Sequence, residues 1–246
     1  MNPIVVVLLL IILLVICYII YKALFPNVTS LKTVTDLSKG STTIQITDGQ
    51  ATNYNVSYAT WVYVNVWDSV PKTIFSRNAD VGLRLDSTSP TLYCDVAINK
   101  LATAPSNDPS YNAGKNAVGA NATAAYASQT ITVTENFPMQ KWVFIIVSMD
   151  GAGFTDVYLD GKLVKSVKLL NTRPSLPKAE DSPIILSDNT NKWNAFISQF
   201  YRYLYTMDPQ TAWNLYLYGN GIGLSQYNVD VTLSKNGIIQ NDIQVF

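Results

Sequence analysis

The sequence predicts an all-β protein, a two-sheet β-sandwich with one short helix, preceded by a single N-terminal transmembrane helix. Three stretches carry that expectation. Ile4 to Tyr21 is an uncharged run made mostly of Val, Ile and Leu. Lys141 to Leu170 (KWVFIIVSMDGAGFTDVYLDGKLVKSVKLL) reads as three consecutive antiparallel strands. The remainder is a succession of short β-branched and aromatic runs separated by turn formers, with one helix signal at Asp208-Pro209.

The apolar run comes first in the chain. At about 1.5 Å per residue, Pro3 to Phe25 spans about 34 Å, enough for a hydrocarbon core of about 30 Å. A cleaved signal peptide fits less well. No Lys or Arg precedes the run, and YKALFPN offers no small-x-small cleavage site. Lys22, Lys32 and Lys39 follow it, so the positive-inside bias places the C-terminal part on the cytosolic side. Cys17 lies in the run and Cys94 in an expected strand, so the domain has no disulfide of its own, which favours a reducing compartment. The sequons at Asn27, Asn55 and Asn121 are as many as chance provides and carry no weight.

Residues 1–25 are thus expected to be the anchor, 26–40 a polar connector and 41–246 the sandwich. Thr43–Thr47 alternates like an early strand. Tyr58–Trp67 places Trp61, Tyr63 and Trp67 on one face and Val62, Val64 and Val66 on the other, as a central strand covered on both sides would. Thr73–Arg77, Val81–Asp86 and Thr91–Ile98 follow as strands. Residues 101–129, rich in Ala, Asn, Ser and Gly, read as a loop insertion that Tyr111 and Tyr126 anchor, or as plain disorder. Thr130–Thr134 resumes the sheet.

Trp142–Met149 is then a strand closed by Asp150, Gly151 and Gly153, and Phe154–Leu159 a second strand. Asp160-Gly161 is a hairpin signal, because both central residues of a type I′ turn need positive φ. After it, Leu163, Lys165 and Val167 alternate with Val164, Ser166 and Lys168, as in a half-buried strand. Pro174–Pro183 is a surface connection, and Ile184–Ser187 and Phe196–Tyr205 are strands. Asp208 caps a short helix with Pro209 at its first position, carrying Trp213, Leu215 and Tyr216 and ending near Gly219. Asn228–Leu233 and Ile238–Val245 flank the turn Asn236-Gly237.

Several of these pieces resemble the laminin-G-like branch of the concanavalin A-like lectin/glucanase superfamily. They are Lys141-Trp142-Val143, Asp156 to Val164 (DVYLDGKLV), Phe196 to Tyr203 (FISQFYRY) and Met207-Asp208-Pro209 with the helix after it. The likeness covers roughly Thr43 to Gly221, and it departs at Ser198, where the family usually has Gly. It implies a jelly-roll sandwich of concanavalin A-like type and says less about ligand, because the fold serves many functions.

The chemistry of catalysis is missing from this sequence. Glycoside hydrolysis needs two carboxyl groups facing one bond. The only glutamates, Glu135 and Glu180, stand at expected loop or strand ends, and no E-x-D-x-x-E pattern occurs. There is no His, which removes Ser–His and Cys–His catalysis and His-ligated metals. Gly151-Ala152-Gly153 is a turn between strands and no phosphate loop. No catalytic residue and no cofactor are assigned, and the expectation is a non-enzymatic protein. Asp150, Asp188, Asn189 and Asn191 supply oxygens of the kind calcium takes, but calcium needs six to eight of them, and solvated turn residues are the plainer reading. Tyr201, Tyr203 and Tyr205 alternate on one face, as sugar-stacking residues or as an interface- or core-facing row.

Formal net charge is zero, and the bases are scattered, so a nucleic-acid partner is excluded for want of a basic stripe. The order anchor, connector, sandwich resembles minor capsid proteins of large icosahedral double-stranded DNA viruses, such as those of algae, which carry a membrane under the shell. That resemblance implies a structural protein bound to lipid through residues 4–21 and to capsid or membrane proteins through the sandwich and the 101–129 loop. It would sit at the virion inner membrane. The alternative is a membrane-anchored glycan-binding or adhesion module.

Overall fold

A computed structural model describes residues 11–18, 29–31, 34–46, 54–103, 108–112, 126–174, 182–220, 230–235 and 238–244. In chain order the strands are β1 (Thr29–Leu31), β2 (Thr35–Asp36), β3 (Thr42–Ile44), β4 (Val56–Val64), β5 (Lys72–Arg77), β6 (Val81–Leu85), β7 (Leu92–Asn99) and β8 (Tyr111–Asn112). There follow β9 (Tyr126–Thr134), β10 (Trp142–Met149), β11 (Phe154–Leu159), β12 (Lys162–Lys168), β13 (Ile184–Leu186), β14 (Ala195–Tyr203), β15 (Asp230–Lys235) and β16 (Ile238–Gln244). One sheet has the order β1-β14-β4-β10-β11-β12, with β2 also on β14; the other runs β3-β13-β5-β6-β7-β9-β8; β15 and β16 pair as a hairpin. The all-β, two-sheet expectation therefore holds.

Period-two alternation builds the layers. Val62, Val64, Val143, Ile145, Val147 and Val157 point from the first sheet into one core, where they meet Phe75, Leu83, Cys94 and Val96 of the second. The opposite face of the first sheet is apolar too. Ala59, Trp61, Phe144, Ile146, Tyr158 and Tyr203 form a second cluster there with Met207 and Ala212. That cluster explains the helix Pro209–Leu217, which lays Tyr216 on Trp61 at a ring separation of 5.6 Å. Asp208 caps the helix, accepting from the amides of Gln210 and Thr211. The central strand covered on both sides is β4, between β14 and β10.

At Asp160-Gly161 both residues have positive φ, 48° and 74°, and Leu159 faces Lys162 across the turn. A Cβ on Gly161 would lie 2.9 Å from Trp213 Cε3, so the same glycine also admits the helix.

Four expectations are corrected. The segment 26–40 is more than a connector: it contributes β1, β2 and a 3-10 turn, Leu37–Lys39, whose Leu37 is in the core. The strand expected at Tyr58–Trp67 starts at Val56 and ends at Val64, where the amides of Asn65 and Val66 turn to the carbonyl of Asn194; Val66 is exposed. The 101–129 insertion is shorter at its C-terminal end, where β9 begins at Tyr126, and it contains β8. Ala127 and Ser128 are buried in a ladder with β7. Finally, β12 is an exposed edge strand; only Val167 is half-buried. A register shift between Val157 and Tyr158 accompanies its pairing to β11.

Of the apolar run, residues 11–18 are helical and exposed throughout, and the rest of 4–21 lies outside the described residues. Among the described residues no helix is long and apolar enough to cross a membrane. The turn Asn236-Gly237, Glu180 and residues 113–125 also lie outside them.

Candidate functional site

The two ends of the sandwich differ in chemistry. At one end Tyr58 from β4, Arg77 from β5, Asp80 from the β5–β6 turn and Arg173 from the segment after β12 meet below the surface. Asp80 and Arg77 are fully buried. Asp80 Oδ2 accepts from Tyr58 OH at 2.5 Å and from Arg77 Nη1 at 2.9 Å, and its Oδ1 accepts from Arg173 Nη2. Arg77 Nε donates to the Ser182 carbonyl at 3.1 Å and Arg173 Nη1 to that of Tyr54 at 2.7 Å. Burial pushes the Asp80 carboxyl up, yet the guanidinium groups of Arg173 and Arg77 and the Tyr58 hydroxyl outweigh it and hold it below its ordinary value. Burial and then the Asp80 charge raise Tyr58 to about 12. This cluster joins the two sheets; it offers no free acid–base pair.

Above it lies a cleft of about 580 Å³ lined by Tyr54, Asn99, the turn Asp150–Gly153 and residues 168–173. Lys168 Nζ stands 5.7 Å over the Phe154 ring beside it. A second groove, of about 600 Å³, crosses the outer face of the second sheet. Ser76 and Gly82 give it a small floor, with Arg84 and Asp95 paired at 2.7 Å along it and Asp188 and Asn189 at its edge.

The calcium candidates are split between these places. Asp150 lines the first cleft and accepts from the Phe154 amide at 2.7 Å. Asp188 accepts from Thr190 N and Asn191 Nδ2, and Asn189 Oδ1 from Ser41, all around the second groove. The Asp150 and Asp188 oxygens serve turns, Asn189 Oδ1 ties down the distant Ser41, and the described residues contain no group of three or more His, Cys, Asp or Glu able to hold a metal. Asp150 thus stands at one depression, and Asp188 and Asn189 at another. Tyr201, Tyr203 and Tyr205 do share a face, with ring separations of 6.0 and 5.3 Å; Tyr203 is buried in the cluster under the helix. Glu135 is exposed on a turn.

At the far end, Lys72 was missed by sequence reasoning. Its buried ammonium donates to the carbonyls of Asp68, Val70, Asp86 and Ser87 and lies 4.0 Å over the Trp67 ring, clamping two loops. Asp80 and Arg173 were missed likewise. The available signal was slight: Arg77 and Arg173 are two of only four arginines, and each stands beside apolar segments.

Jelly-roll layers, the VYLDGKLV hairpin and the helix packed on the outer face are now in place, and the family profile of the concanavalin A-like lectin/glucanases superfamily matches residues 38–212, more than half of the chain. The chain belongs to that superfamily. Its laminin-G-like sandwich is similar to solved botulinum neurotoxin domains. The serotype D binding domain aligns with a TM-score of 0.51 and 13% identity, over 79% of this chain and 44% of that one. The receptor-binding domain of the mosaic serotype C/D toxin gives 0.54 and 12%, over 78% and 46%. The serotype D domain in complex with N-acetylneuraminic acid gives 0.52 and 13%, over 77% and 44%. The chain thus spans less than half of each of those domains, and at such identity the likeness is one of fold. No curated protein matches the sequence.

Proposed function

We propose that this protein is a non-catalytic, membrane-tethered docking domain. The observation that carries the reading is the stretch 11–18, an apolar helix exposed on every side, inside a longer uncharged run from Ile4 to Tyr21. Such a surface is stable in lipid and costly in water. The sandwich behind it has the fold of the lectin/glucanases superfamily, the sequence has no His and no E-x-D-x-x-E pattern, and its described residues hold no cluster of three or more His, Cys, Asp or Glu. The finer reading is a minor capsid protein joining an internal virion membrane to the shell, with the sandwich on the cytosolic side. It is supported by the lysine flank and by the order of anchor and sandwich.

The test is protease protection of the full chain on sealed membranes or intact particles, followed by mass spectrometry. Retention of residues 1–25 and cleavage of the sandwich only from the cytosolic face support the reading. A mature N-terminus near Ala23, or a sandwich enclosed on the opposite side, overturns it.

A second reading, glycan binding, is favoured by the groove that the Arg84–Asp95 pair lines and by the sugar complex of the serotype D neighbour. Titration with N-acetylneuraminic acid, with and without calcium, tests it; binding abolished by Arg84→Ala would put a lectin in place of the scaffold.

A further inference from the structure

The chain enters the sandwich at a defined end. β1 pairs with β14 in the register Thr29↔Arg202, and Arg202 faces Tyr58 on β4, so Thr29 sits at the end that holds Tyr54, Arg173 and the Asp150–Gly153 turn. Only residues 22–28 separate Tyr21 from Thr29. Seven residues reach at most about 25 Å when fully extended, which keeps this end beside whatever surface holds the apolar run.

The exposed side chains at that end include large apolar ones. Tyr54, Phe154, Leu170 and Tyr205 are 45, 42, 40 and 38% exposed. The Ala152 tip of the β10–β11 turn is exposed between them. Lys168 stands over Phe154, and Lys100 follows Asn99 of the adjoining cleft; both lysines are exposed. The carboxylates nearby are already engaged. Asp150 accepts from the Phe154 amide, Asp208 caps the helix, and Asp80 is buried between two guanidinium groups. The loops of the opposite end carry both signs of charge, with Asp68, Asp86, Glu135 and Asp188 beside the exposed Lys39, Lys141, Lys162 and Lys192.

From this juxtaposition we infer that the rim formed by Tyr54, Ala152, Phe154, Leu170 and Tyr205, with Lys100 and Lys168, contacts the bilayer into which residues 4–21 insert. The inference rests on the tether reading above. The aromatic rings and Leu170 occupy the headgroup region, where amphipathic rings are favoured, and the two lysines meet anionic headgroups. The contact orients the sandwich: its far rim points away from the membrane and is the end presented to a protein partner.

The experiment uses the full chain with Cys17→Ser, reconstituted in phosphatidylcholine vesicles with and without phosphatidylserine. A nitroxide is placed by Ala152→Cys or, as far-rim control, by Ser69→Cys; the buried Cys94 stays unlabelled. The readout is relaxation by a water-soluble nickel chelate relative to oxygen. With phosphatidylserine the label at 152 should lose about threefold or more of its aqueous accessibility while the label at 69 keeps its own. Lys100→Glu with Lys168→Glu should abolish the dependence on phosphatidylserine. Alkaline carbonate extraction of the same vesicles reads the tether separately. Release of the protein overturns both readings. Retention with equal accessibility at 152 and 69 overturns the rim contact alone.

Discussion

Asp80 is the residue on which one end of the sandwich depends. It balances two buried guanidinium groups and a tyrosine hydroxyl, so Asp80→Asn leaves Arg77 and Arg173 without their counter-charge. The expected loss is about 3–5 kcal/mol, measured by denaturant unfolding. The pH dependence has a definite sign. The folded carboxyl lies below its ordinary value of 3.8, so its contribution is complete above that value and disappears as pH falls through the folded one. Tyr58 works in the other direction. Raised from 10.0 to about 12, it contributes fully below pH 10 and loses that contribution as pH rises towards 12. Tyr58→Phe should therefore unfold with a flatter alkaline limb than the parent. At Gly161 two demands coincide, a φ of 74° and a Trp213 ring 2.9 Å from where a Cβ would stand. Gly161→Val should cost about 2 kcal/mol or more in thermal or denaturant melts.

Among the elements, the helix Pro209–Leu217 is the informative one. It packs on a sheet face that would otherwise expose Trp61, Phe144 and Tyr158. Trp61→Ala should lower stability by about 3–5 kcal/mol, and Asp208→Ala, which removes only the cap, by about 1 kcal/mol. A larger effect from the cap than from the tryptophan would show that the helix is held by its own propensity and not by the sheet. The helix and its cap were legible because Asp-Pro ahead of an apolar run has a local cause. The bulge in β14 was not. Gln199 adopts a φ of 51° there without being Gly, Asn or Asp, and the register slips between Ser198 and Tyr201. β12 differs for a related reason: Leu163, Lys165 and Val167 alternate with Val164, Ser166 and Lys168 as in a half-buried strand, but at the edge of the sheet Leu163 and Val164 are both exposed.

For the whole molecule, the asymmetry between the two ends matters more than either cleft. On the proposed tether reading, a near rim bearing Tyr54, Phe154, Leu170 and Tyr205 gives the sandwich one orientation at a membrane. Limited proteolysis of the membrane-bound chain should cut at the far-rim loops before the Asp150–Gly153 turn, whereas detergent-solubilised protein should lose that order. Equal rates in both states would argue against a fixed orientation.

Local pattern by itself determined the β class, the hairpin at Asp160-Gly161, the capped helix and the lack of histidine and paired glutamates, since each depends on residues close in sequence or on composition. Only the tertiary structure decided that Asp80, Arg77, Tyr58 and Arg173 meet, and that Asp150 lines one cleft while Asp188 edges another groove. It also decided that Lys72 is a clamp and that the chain enters beside Tyr54. The deciding contacts join distant positions, 22 apart for Tyr58–Asp80, 93 for Arg173–Asp80 and 15 for Lys72–Ser87, and strand order, which no local period encodes, brings them together.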